Sequence, residues 1–537
     1  MHNEVPANLA VCHKLKNQRR SPNAGPTDPI VSMPQTHDIL ILGSGFGGSL
    51  LATILSNSGM SVALVDRQSH PRFAIGESST PLADQTLADL ATNYHIPELL
   101  PLTKYGLWRQ ARPQLTCGPK RGFSYFGHQA GVPFDPDQQL LVSASDTGDL
   151  ADTHWLRSDV DHFFFQIAQQ YNVDTFTKTA YQLTLNNDRH WICEGTTPRD
   201  TFHINTPFVV DATGASGEVM NFLQIPDLSH ELLTSSSALF AHFKNVPKVA
   251  KVLTDQNISL SQHPFPCDAA AVHHVLSDGW MWQLRFDDDS VSCGIMSCDT
   301  PTPTFPNSHR WTEITDCYPF LKTQFTSAST VRPDSGLIAT ARIQRLRRHA
   351  AGNNWAALPS TAGFIDPLHS TGISHTLIGI RRLANILLQP SPSRTTALTE
   401  YSQQIIAELR HIDRLVEGCY AALPNFRLFS NWCMVYFAAV TSDERVIFDN
   451  SAERTSQSFL RTTDIPFRKF VSSARHQLQL CINSGATPSA CDHFETWLRT
   501  GISPWNQFGF LSQPLPANYH ATPSRNAPAD DGADDMA

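Results

Sequence analysis

A short apolar segment, a glycine-rich turn and a helix-like segment follow one another at residues 38–58, and this order restricts the possible folds more than any other feature. Residues 38–42 predict a buried strand, residues 47–58 a helix, and residues 61–66 a second strand. The turn reads Gly43-Ser-Gly-Phe-Gly-Gly48, which satisfies the GxGxxG pattern, and Asp66 closes the second strand. This combination predicts a βαβ unit that binds an adenine dinucleotide.

Each residue of this motif has a physical role in such a site. Gly43 permits the tight turn, Gly45 lets the backbone approach the pyrophosphate, and Gly48 allows the helix to pack closely on the strand. The free N–H groups at the helix N-terminus face the phosphates. Asp66 is placed to accept hydrogen bonds from the ribose hydroxyls. The alternative is a glycine-rich turn in an ordinary α/β protein that binds no nucleotide.

Composition argues against several other classes of protein. The net charge of −9 argues against a nucleic-acid-binding protein, which needs a basic surface. The 11 cysteines form no CxxC pair, so we expect no metal site, and they indicate a reducing, cytoplasmic setting. No apolar run is long enough to span a membrane. Residues 1–36 and 517–537 are expected to be a disordered extension and a disordered tail.

The rest of the chain predicts a second sheet and a helical region. Residues 207–214 predict a further parallel strand, and residues 238–246 and 279–297 predict strands of a mostly antiparallel sheet. Residues 399–422 carry apolar side chains at helical spacing. We therefore expect an α/β fold: a Rossmann-like dinucleotide-binding domain, an inserted, mostly antiparallel substrate sheet, and a helical C-terminal region. The expected boundaries are 37–225 and 346–395 for the two parts of the dinucleotide-binding domain, 226–345 for the substrate sheet, and 396–516 for the helical region.

Two later segments identify the dinucleotide. Val209-Val-Asp-Ala-Thr-Gly214 resembles the second flavin motif of the FAD-dependent monooxygenase superfamily, the aromatic-hydroxylase type, and residues 363–373 resemble its third motif. The resemblance implies FAD as the cofactor. The contacts that it implies are Asp211, Gly214, Asp366 and Gly372. Because the chain has a single GxGxxG motif, we expect a separate flavin reductase to supply FADH2.

Further stretches resemble the flavin-dependent halogenases, and the tetracycline-type members most closely. Residues 71–81 resemble the loop that covers the flavin, which implies Gly76 and Glu77 as cofactor contacts. Arg157 resembles the arginine that opens a flavin-contacting helix in the superfamily; the alternative is a helix-capping or surface arginine.

Two more stretches of this resemblance carry the expected catalytic residues. Residues 279–286 resemble the WxWxIP signature, with Trp280 and Trp282 present and Leu-Arg in place of Ile-Pro. Residues 118–127 resemble the stretch that carries the active-site lysine, here Lys120. Taken alone, two tryptophans on one strand face are typical of a core, and a lysine in a Lys-Arg pair is typical of a solvated surface.

The resemblance implies a reaction. FADH2 reacts with O2 to give a C4a-hydroperoxide, chloride or bromide attacks it, and the resulting hypohalous acid is guided to Lys120. The backbone amides of Thr371 and Gly372 are expected to bind the halide, next to Ser370 as a catalytic residue of the third motif. Trp280 and Trp282 are expected to line the passage and keep the substrate away from the flavin.

The position before Ser370 indicates the substrate class. Tryptophan halogenases carry a glutamate there, whereas this chain has His369. Because a phenol activates its own ring, we expect an electron-rich, phenolic or polyketide-like small aromatic substrate; His369 is either a base or a structural residue.

Three alternatives to a halogenase remain open at this point. An aromatic hydroxylase has the same fold and has no use for a buried Lys120 or paired tryptophans. A flavoprotein reductase that acts on a lipid shares the FAD motifs and needs no oxygen. A flavin-binding protein without catalysis is the third.

Overall fold

The computed structural model describes residues 35–298, 306–449, 458–512 and 520–521. Apart from residues 35–36 and 520–521, which form short strands, the expected disordered extension and tail lie outside the described residues.

The strands are numbered in chain order. They are β1 Gln35–Thr36, β2 Ile39–Leu42, β3 Val62–Val65, β4 Cys117–Lys120, β5 Gly122–Gly127, β6 Gln139–Ser143, β7 Asp152–Trp155, β8 Asp174–Phe176, β9 Ala180–Leu185, β10 Trp191–Thr196, β11 Thr201–Thr206, β12 Val209–Asp211, β13 Ser237–Lys244, β14 Ala271–Leu276, β15 Gly279–Arg285, β16 Val291–Ser297, β17 Ser329–Arg332, β18 Ile338–Arg342, β19 Arg345–Leu346, β20 Ala351–Gly352, β21 Trp355–Ala357, β22 Gly363–Phe364 and β23 His520–Ala521.

The α-helices follow the same convention, and short 3-10 helices lie at Pro97–Thr103, Gly214–Ser216, Ser229–Glu231 and Phe459–Arg461. The α-helices are α1 Phe46–Asn57, α2 Pro81–Asn93, α3 Tyr105–Ala111, α4 Arg157–Gln170, α5 Glu218–Phe222, α6 Val249–Asp255, α7 Asn307–Asp316, α8 Pro319–Phe325, α9 Pro359–Ala362, α10 Thr371–Leu387, α11 Ser391–Ala422, α12 Phe426–Asp449, α13 Ile465–Asn483 and α14 Pro488–Ile502.

A six-stranded sheet holds the predicted βαβ unit. Its order is β20-β21-β12-β2-β3-β8, and every pair except β20–β21 is parallel. Strands β2 and β3 are buried along their whole lengths, as expected for parallel strands covered on both faces. The predicted strands at 38–42, 61–66 and 207–214 and the predicted helix at 47–58 are confirmed. The carboxyl ends of β2, β3 and β12 lie side by side, the edge at which open α/β sheets bind ligands.

A nine-stranded, mostly antiparallel sheet forms the second layer. Its order is β17-β13-β16-β15-β14-β5-β6-β23, with β18 also paired to β13. Alternate residues of β15 face two different cores, so Trp280 and Trp282 belong to one core and Met281 to the other. The sheet extends beyond the stretch at 226–345 expected from the sequence. Strands β5 and β6 come from the preceding segment, and β5 pairs in parallel with β14.

The helical C-terminal region packs on the six-stranded and the nine-stranded sheet, and a buried carboxylate connects it to α10. Glu408 on α11 accepts hydrogen bonds from both terminal nitrogens of Arg382 on α10, at 2.9 and 2.8 Å. Its other partners are His375 Nε2 at 3.0 Å and the backbone N–H of Phe459 at 2.8 Å. Among the described residues, none of the helices combines the length and apolarity needed to cross a bilayer.

Candidate active site

The glycine-rich turn is shaped by direct backbone contacts. Gly43 has a φ of +100°, and a Cβ there would lie 2.5 Å from the carbonyl oxygen of Ala212. A Cβ on Gly48 would lie 1.9 Å from the carbonyl oxygen of Gly43. Both positions therefore require glycine for the fold alone. At Gly45, which precedes α1, a Cβ would meet its first neighbour only at 3.5 Å. Glycine at position 45 thus leaves space for a ligand.

Asp66 is an ionised carboxylate at the end of β3. It accepts hydrogen bonds from the Ser44 amide at 2.7 Å and the Ser44 hydroxyl at 2.8 Å, and it pairs with Arg72 at 2.8 Å. Burial alone would raise the pKa of Asp66, but the Arg72 charge and the backbone donors at Ser44 and Gln68 outweigh it and hold the pKa below the usual value. A negatively charged acceptor therefore lies beside the turn, as the ribose contact requires.

Arg157 connects the glycine-rich turn to the loop at 71–81. It begins α4, and its Nη1 donates to the carbonyl oxygens of Ile75 at 2.9 Å and Gly76 at 3.1 Å. Its Nε donates to Asp161 at 2.7 Å. The guanidinium also lies 4.8 Å from the ring centroid of Phe46, the first residue of α1. These contacts exclude the alternative of a surface arginine.

The side chain of Glu77 points inward. Its carboxylate lies 3.1 Å from Nε2 of His242 on β13, and both residues are buried. Gly76, by contrast, is exposed, with a φ of +86°. In this structure the Glu77 side chain anchors the loop on the large sheet, and the exposed Gly76 backbone is the part of the loop that faces outward.

The second flavin motif is held by its own aspartate. The buried Asp211 accepts hydrogen bonds from the amide and hydroxyl of Thr213 at 3.1 and 2.6 Å, and from the amide of Val219 at 2.8 Å. Burial raises the pKa of Asp211. Asp211 therefore shapes the turn that presents Gly214, around which a Cβ would meet nothing within 4 Å.

The third motif ends in an open helix N-terminus. Ser370 adopts a left-handed conformation (φ 55°, ψ 33°), and α10 starts at Thr371. The first N–H groups of a helix lack intrahelical acceptors, so the amides of Thr371 and Gly372 are donors available to an anion. Gly372 is exposed, and a Cβ there would meet nothing within 4 Å.

The Ser370 hydroxyl brings two motifs together. It donates to the hydroxyl of Ser78 at 3.0 Å, which joins the third motif to the loop at 71–81. Asp366 of the same motif is buried and accepts hydrogen bonds from Tyr420 at 2.7 Å and from the amide of Leu368 at 2.9 Å. Burial raises the pKa of Asp366 to about 7.

Lys120 is fully buried at the end of β4, which excludes a solvated surface lysine. Its ammonium donates to the carbonyl oxygen of Ser79 at 2.5 Å and lies 4.1 Å from the ring centroid of Phe123. Because Ser79 follows Ser78, the lysine meets the same loop that contacts Ser370. Three motifs that are far apart in the sequence therefore converge.

A second lysine and two carboxylates lie close to Lys120. Asp152 on β7 is the cross-strand partner of Lys120, and Lys104 donates to Asp152 and Asp84 at 3.1 Å each. The Ser79 hydroxyl also donates to Asp84. Burial lowers the pKa of Lys120 to about 8, against the opposing effect of Asp152 and Asp84. No sequence pattern indicates this group, because it depends on the pairing of β4 with β7.

Aromatic rings surround the end of the site that Lys120 occupies. Trp280 and Trp282 lie on one face of β15 with ring centroids 6.0 Å apart. Trp280 donates to the Tyr420 hydroxyl at 3.2 Å, which connects the tryptophan to Asp366. The Trp282 ring lies where a Cβ on Gly294 would be, at 2.1 Å.

His273 is a further member of this aromatic group that the sequence motifs did not indicate. It is buried on β14 opposite Tyr125 of β5, and the two rings stack at 4.6 Å. The His273 ring also lies 5.3 Å from Trp280. Burial, with a contribution from the Lys120 charge, lowers the pKa of His273 to about 3, so it is neutral beside the ammonium. Only the parallel pairing of β5 with β14 reveals this residue.

His369 points away from the helix N-terminus into the helical region. Its ring stacks on Tyr436 of α12 at 4.1 Å, and its two nitrogens each lie 3.4 Å from a polar atom, the Tyr125 hydroxyl and the Cys419 thiol. The sequence prediction of no metal site rested on the lack of a CxxC pair. The structure nevertheless brings His369, Cys419 and Cys433 together.

The residues of the dinucleotide edge fit FAD. Gly45, Gly76, Gly214 and Gly372 each leave room for a ligand beside their backbone. A guanidinium and a helix N-terminus provide positive potential, and an ionised carboxylate provides an acceptor for a ribose.

Comparison with known proteins agrees with this geometry. The model of the tryptophan halogenase family matches residues 153–425, just over half of the chain. The monodechloroaminopyrrolnitrin halogenase PrnC of Pseudomonas fluorescens is 26% identical over 408 residues, which cover 73% of this chain and 69% of PrnC. The tetracycline 7-halogenase of Kitasatospora aureofaciens is 25% identical over 443 residues, which cover 79% of this chain and 76% of that enzyme.

Solved structures show the same fold. The halogenase PltM in complex with phloroglucinol and FAD has a TM-score of 0.79 and 22% identity, and the match covers 90% of this chain and 99% of PltM. The predicted fold class and the predicted resemblance to flavin-dependent halogenases are confirmed. The chain belongs to the tryptophan halogenase family.

Proposed function

We propose that this protein halogenates an electron-rich, phenolic or polyketide-like aromatic compound, with Lys120 as the residue that delivers the halogen. The observation that carries the proposal is the buried Lys120 ammonium, held on the loop that also contacts the start of α10. A hydroxylase or a reductase needs no ammonium at this point.

The cofactor chemistry follows from the family. The enzyme is an oxidoreductase with FAD as its cofactor. Supplied in reduced form, FAD would provide the electrophilic halogen from O2 and a chloride or bromide ion. Arg157, Asp66 and the glycine-rich turn would hold the dinucleotide, and the backbone at Gly76 and Gly214 would border it.

The halide would bind at the N-terminus of α10. The amides of Thr371 and Gly372 point out of a 17-residue helix, and the exposed Gly372 leaves space for an anion. The left-handed Ser370 sets the direction of this helix start, and its hydrogen bond to Ser78 keeps the start aligned with the loop at 71–81. In this arrangement Ser370 positions the halide donors.

Lys120 would act at the other side of the same loop. Its ammonium can donate a hydrogen bond to the oxygen of hypohalous acid and increase the positive character of the halogen. The hydrogen bond to Ser79 and the nearby carboxylates offset the cost of burying the Lys120 ammonium and keep it charged at neutral pH.

The aromatic residues set the substrate class. Tyr125, His273 and Trp280 are buried and pack against one another near Lys120, and an aromatic wall of this kind favours a flat aromatic substrate. A phenol donates electron density into its own ring, so the site needs no dedicated carboxylate base. His369 is engaged by Tyr125 and Cys419 instead.

The test is the variant Lys120→Ala in an assay with a separate flavin reductase that supplies FADH2, bromide and a simple phenol. We expect FADH2 oxidation to continue and brominated product, measured by mass spectrometry, to fall at least about 100-fold. The matched control is Lys251→Ala, because Lys251 is an exposed lysine paired with Asp255, and full product formation is expected. Unchanged bromination by Lys120→Ala, or hydroxylated product from the unaltered enzyme, would refute the proposal.

A further inference from the structure

A buried cluster of one imidazole and two thiols lies directly behind the third flavin motif. His369 comes from the loop before α10, Cys419 from α11 and Cys433 from α12. One ligand atom of each residue lies within 4.8 Å of the other two, and the three side chains are buried. In the part of the chain that the structure describes, this is the one group of three or more such side chains close enough to share a metal ion.

The imidazole is oriented for ligation by its surroundings. The Tyr436 ring stacks on it at 4.1 Å with an interplanar angle of 11°, and the Tyr436 hydroxyl donates to the His369 carbonyl oxygen at 3.0 Å. The Tyr125 hydroxyl lies 3.4 Å from Nδ1, while Nε2 faces the Cys419 thiol at 3.4 Å. Histidine ligands of metals are commonly fixed in this way, with a hydrogen-bond partner on the nitrogen that does not bind the ion.

The two thiols are brought together by a close approach of α11 and α12. Gly418 and Trp432 precede the two cysteines, and a Cβ on Gly418 would lie 2.0 Å from the Trp432 ring. Trp432 also donates to the Leu415 carbonyl oxygen at 2.7 Å. These contacts hold the two helices in register at the level of the cysteines.

The spacing suits a small ion. Metal–sulfur and metal–nitrogen bonds of about 2.0–2.3 Å place the ligand atoms of a three-coordinate site about 3.5–4 Å apart. The observed ligand atoms lie within 4.8 Å, so adjustments of less than about 1 Å would close the site.

We propose that His369, Cys419 and Cys433 bind a thiophilic d10 cation. Two thiolates and one imidazole, with no carboxylate in the group, select soft and borderline metals over Mg²⁺ and Ca²⁺. A bound cation would also make both thiols less available to oxidants, which otherwise attack thiols readily. This site is independent of the proposed reaction, because none of its ligands holds FAD, halide or substrate in the arrangement described above.

The test is a titration of the reduced, metal-stripped full-length protein with Cd²⁺ as the probe. We expect one tightly bound Cd²⁺ per chain, an ultraviolet thiolate-to-cadmium charge-transfer band, and release of protons, because thiols must lose their protons to bind. The variants Cys419→Ser and Cys433→Ser should each lose the band and bind Cd²⁺ at least about 100-fold more weakly.

A second pair of thiols provides the matched control. Cys481 and Cys491 lie 4.0 Å apart on α13 and α14, and they belong to no three-ligand group within the described ranges. The double variant Cys481→Ser/Cys491→Ser should keep the one-equivalent binding and the band. No charge-transfer band in the unaltered protein, or a band that survives Cys419→Ser and disappears in the control, would overturn the proposal.

A second measurement uses the unaltered protein, so its result does not depend on whether the variants fold. Because all four thiols are buried, alkylation of the unaltered protein is run in mild denaturant, in which the fold opens transiently; peptide mass spectrometry should then show that Cd²⁺ slows the modification of Cys419 and Cys433 and leaves that of Cys481 and Cys491 unchanged. Equal rates for Cys419 and Cys433 with and without Cd²⁺ would contradict the proposed site.

Discussion

The positive charge of Lys120 is stabilised by neighbouring carboxylates that lie outside the proposed ligand contacts. Asp152 faces it across the β4–β7 ladder, Asp84 reaches it through Ser79, and Lys104 holds the two carboxylates in place. Lys104 is partly exposed, so this group connects the buried ammonium to the protein surface. The protonation of Lys120 is therefore tuned by Asp152 and Asp84.

This arrangement predicts a pH dependence at the residue scale. Because burial lowers the pKa of Lys120 to about 8, halogenation by the ammonium should fall as the pH rises through about 8. Asp152→Asn removes a negative charge that raises this pKa, so the alkaline limb of the pH–rate profile should move about 1 pH unit or more toward lower pH.

The control is Asp255→Asn, which removes an exposed carboxylate paired with Lys251 and should leave the profile in place. An alkaline limb that is the same in Asp152→Asn and in the unaltered enzyme would show that Asp152 does not set the charge of Lys120.

At the scale of elements, two glycines of the GxGxxG motif are needed for different reasons, Gly48 for folding and Gly45 for ligand binding. The Gly48 position is closed by the Gly43 carbonyl, whereas the Gly45 position is open in the protein itself. Gly45 immediately precedes α1 and Gly48 lies in the first turn of that helix, so substitutions at the two sites can be compared directly.

We expect Gly48→Ala to destabilise the protein, because a Cβ would lie 1.9 Å from a backbone oxygen and the helix would have to move. Gly45→Ala should leave the melting temperature of the cofactor-free protein nearly unchanged and weaken FAD binding about 10-fold or more, since the methyl group occupies the path to the pyrophosphate. Thermal unfolding and fluorescence titration with FAD measure the two effects. Tight FAD binding by Gly45→Ala would argue against the predicted pyrophosphate position.

The sequence predicts these elements well, because each depends on local order. The GxGxxG turn, the two strands around it and the helix at 399–422 follow from patterns within short windows. The burial of Lys120 and the position of His273 beside Tyr125 depend instead on strands that pair over long distances, β4 with β7 and β5 with β14. A pattern of residues within one segment contains no information on such partners.

At the scale of the whole molecule, Glu408 joins three segments of the chain. It binds Arg382 and His375 on α10 and the amide of Phe459 beyond α12. Burial opposes its ionisation, but the Arg382 charge and the hydrogen bonds lower the pKa of Glu408 to about 2. The stability that this group contributes is therefore present above the ordinary glutamate pKa and is lost as the pH falls toward about 2.

Glu408→Gln should lower the free energy of unfolding by about 3–5 kcal/mol at neutral pH, because it removes the carboxylate charge that faces the buried Arg382 guanidinium. It should also reduce the loss of stability between pH 4.5 and 2. Glu417→Gln on the same helix is the control, since Glu417 and Arg475 form a more exposed pair that should contribute less than about 1 kcal/mol. Denaturant unfolding at several pH values measures both, and equal effects of the two variants would contradict the role of Glu408.

The parallel pairing of β5 with β14 has a consequence for biosynthesis. The ribosome completes β5 and β6 well before β14 exists, so one long side of β5 has no partner during that interval. The six-stranded sheet also has strands that are synthesised long before their partners. Strand β2 precedes its partner β12 in the chain, and β12 precedes its partner β21. In both sheets, strands that are neighbours in space are far apart in the chain. Fragments cut near residue 225 should therefore aggregate when expressed alone, and the full chain should depend on chaperones during synthesis.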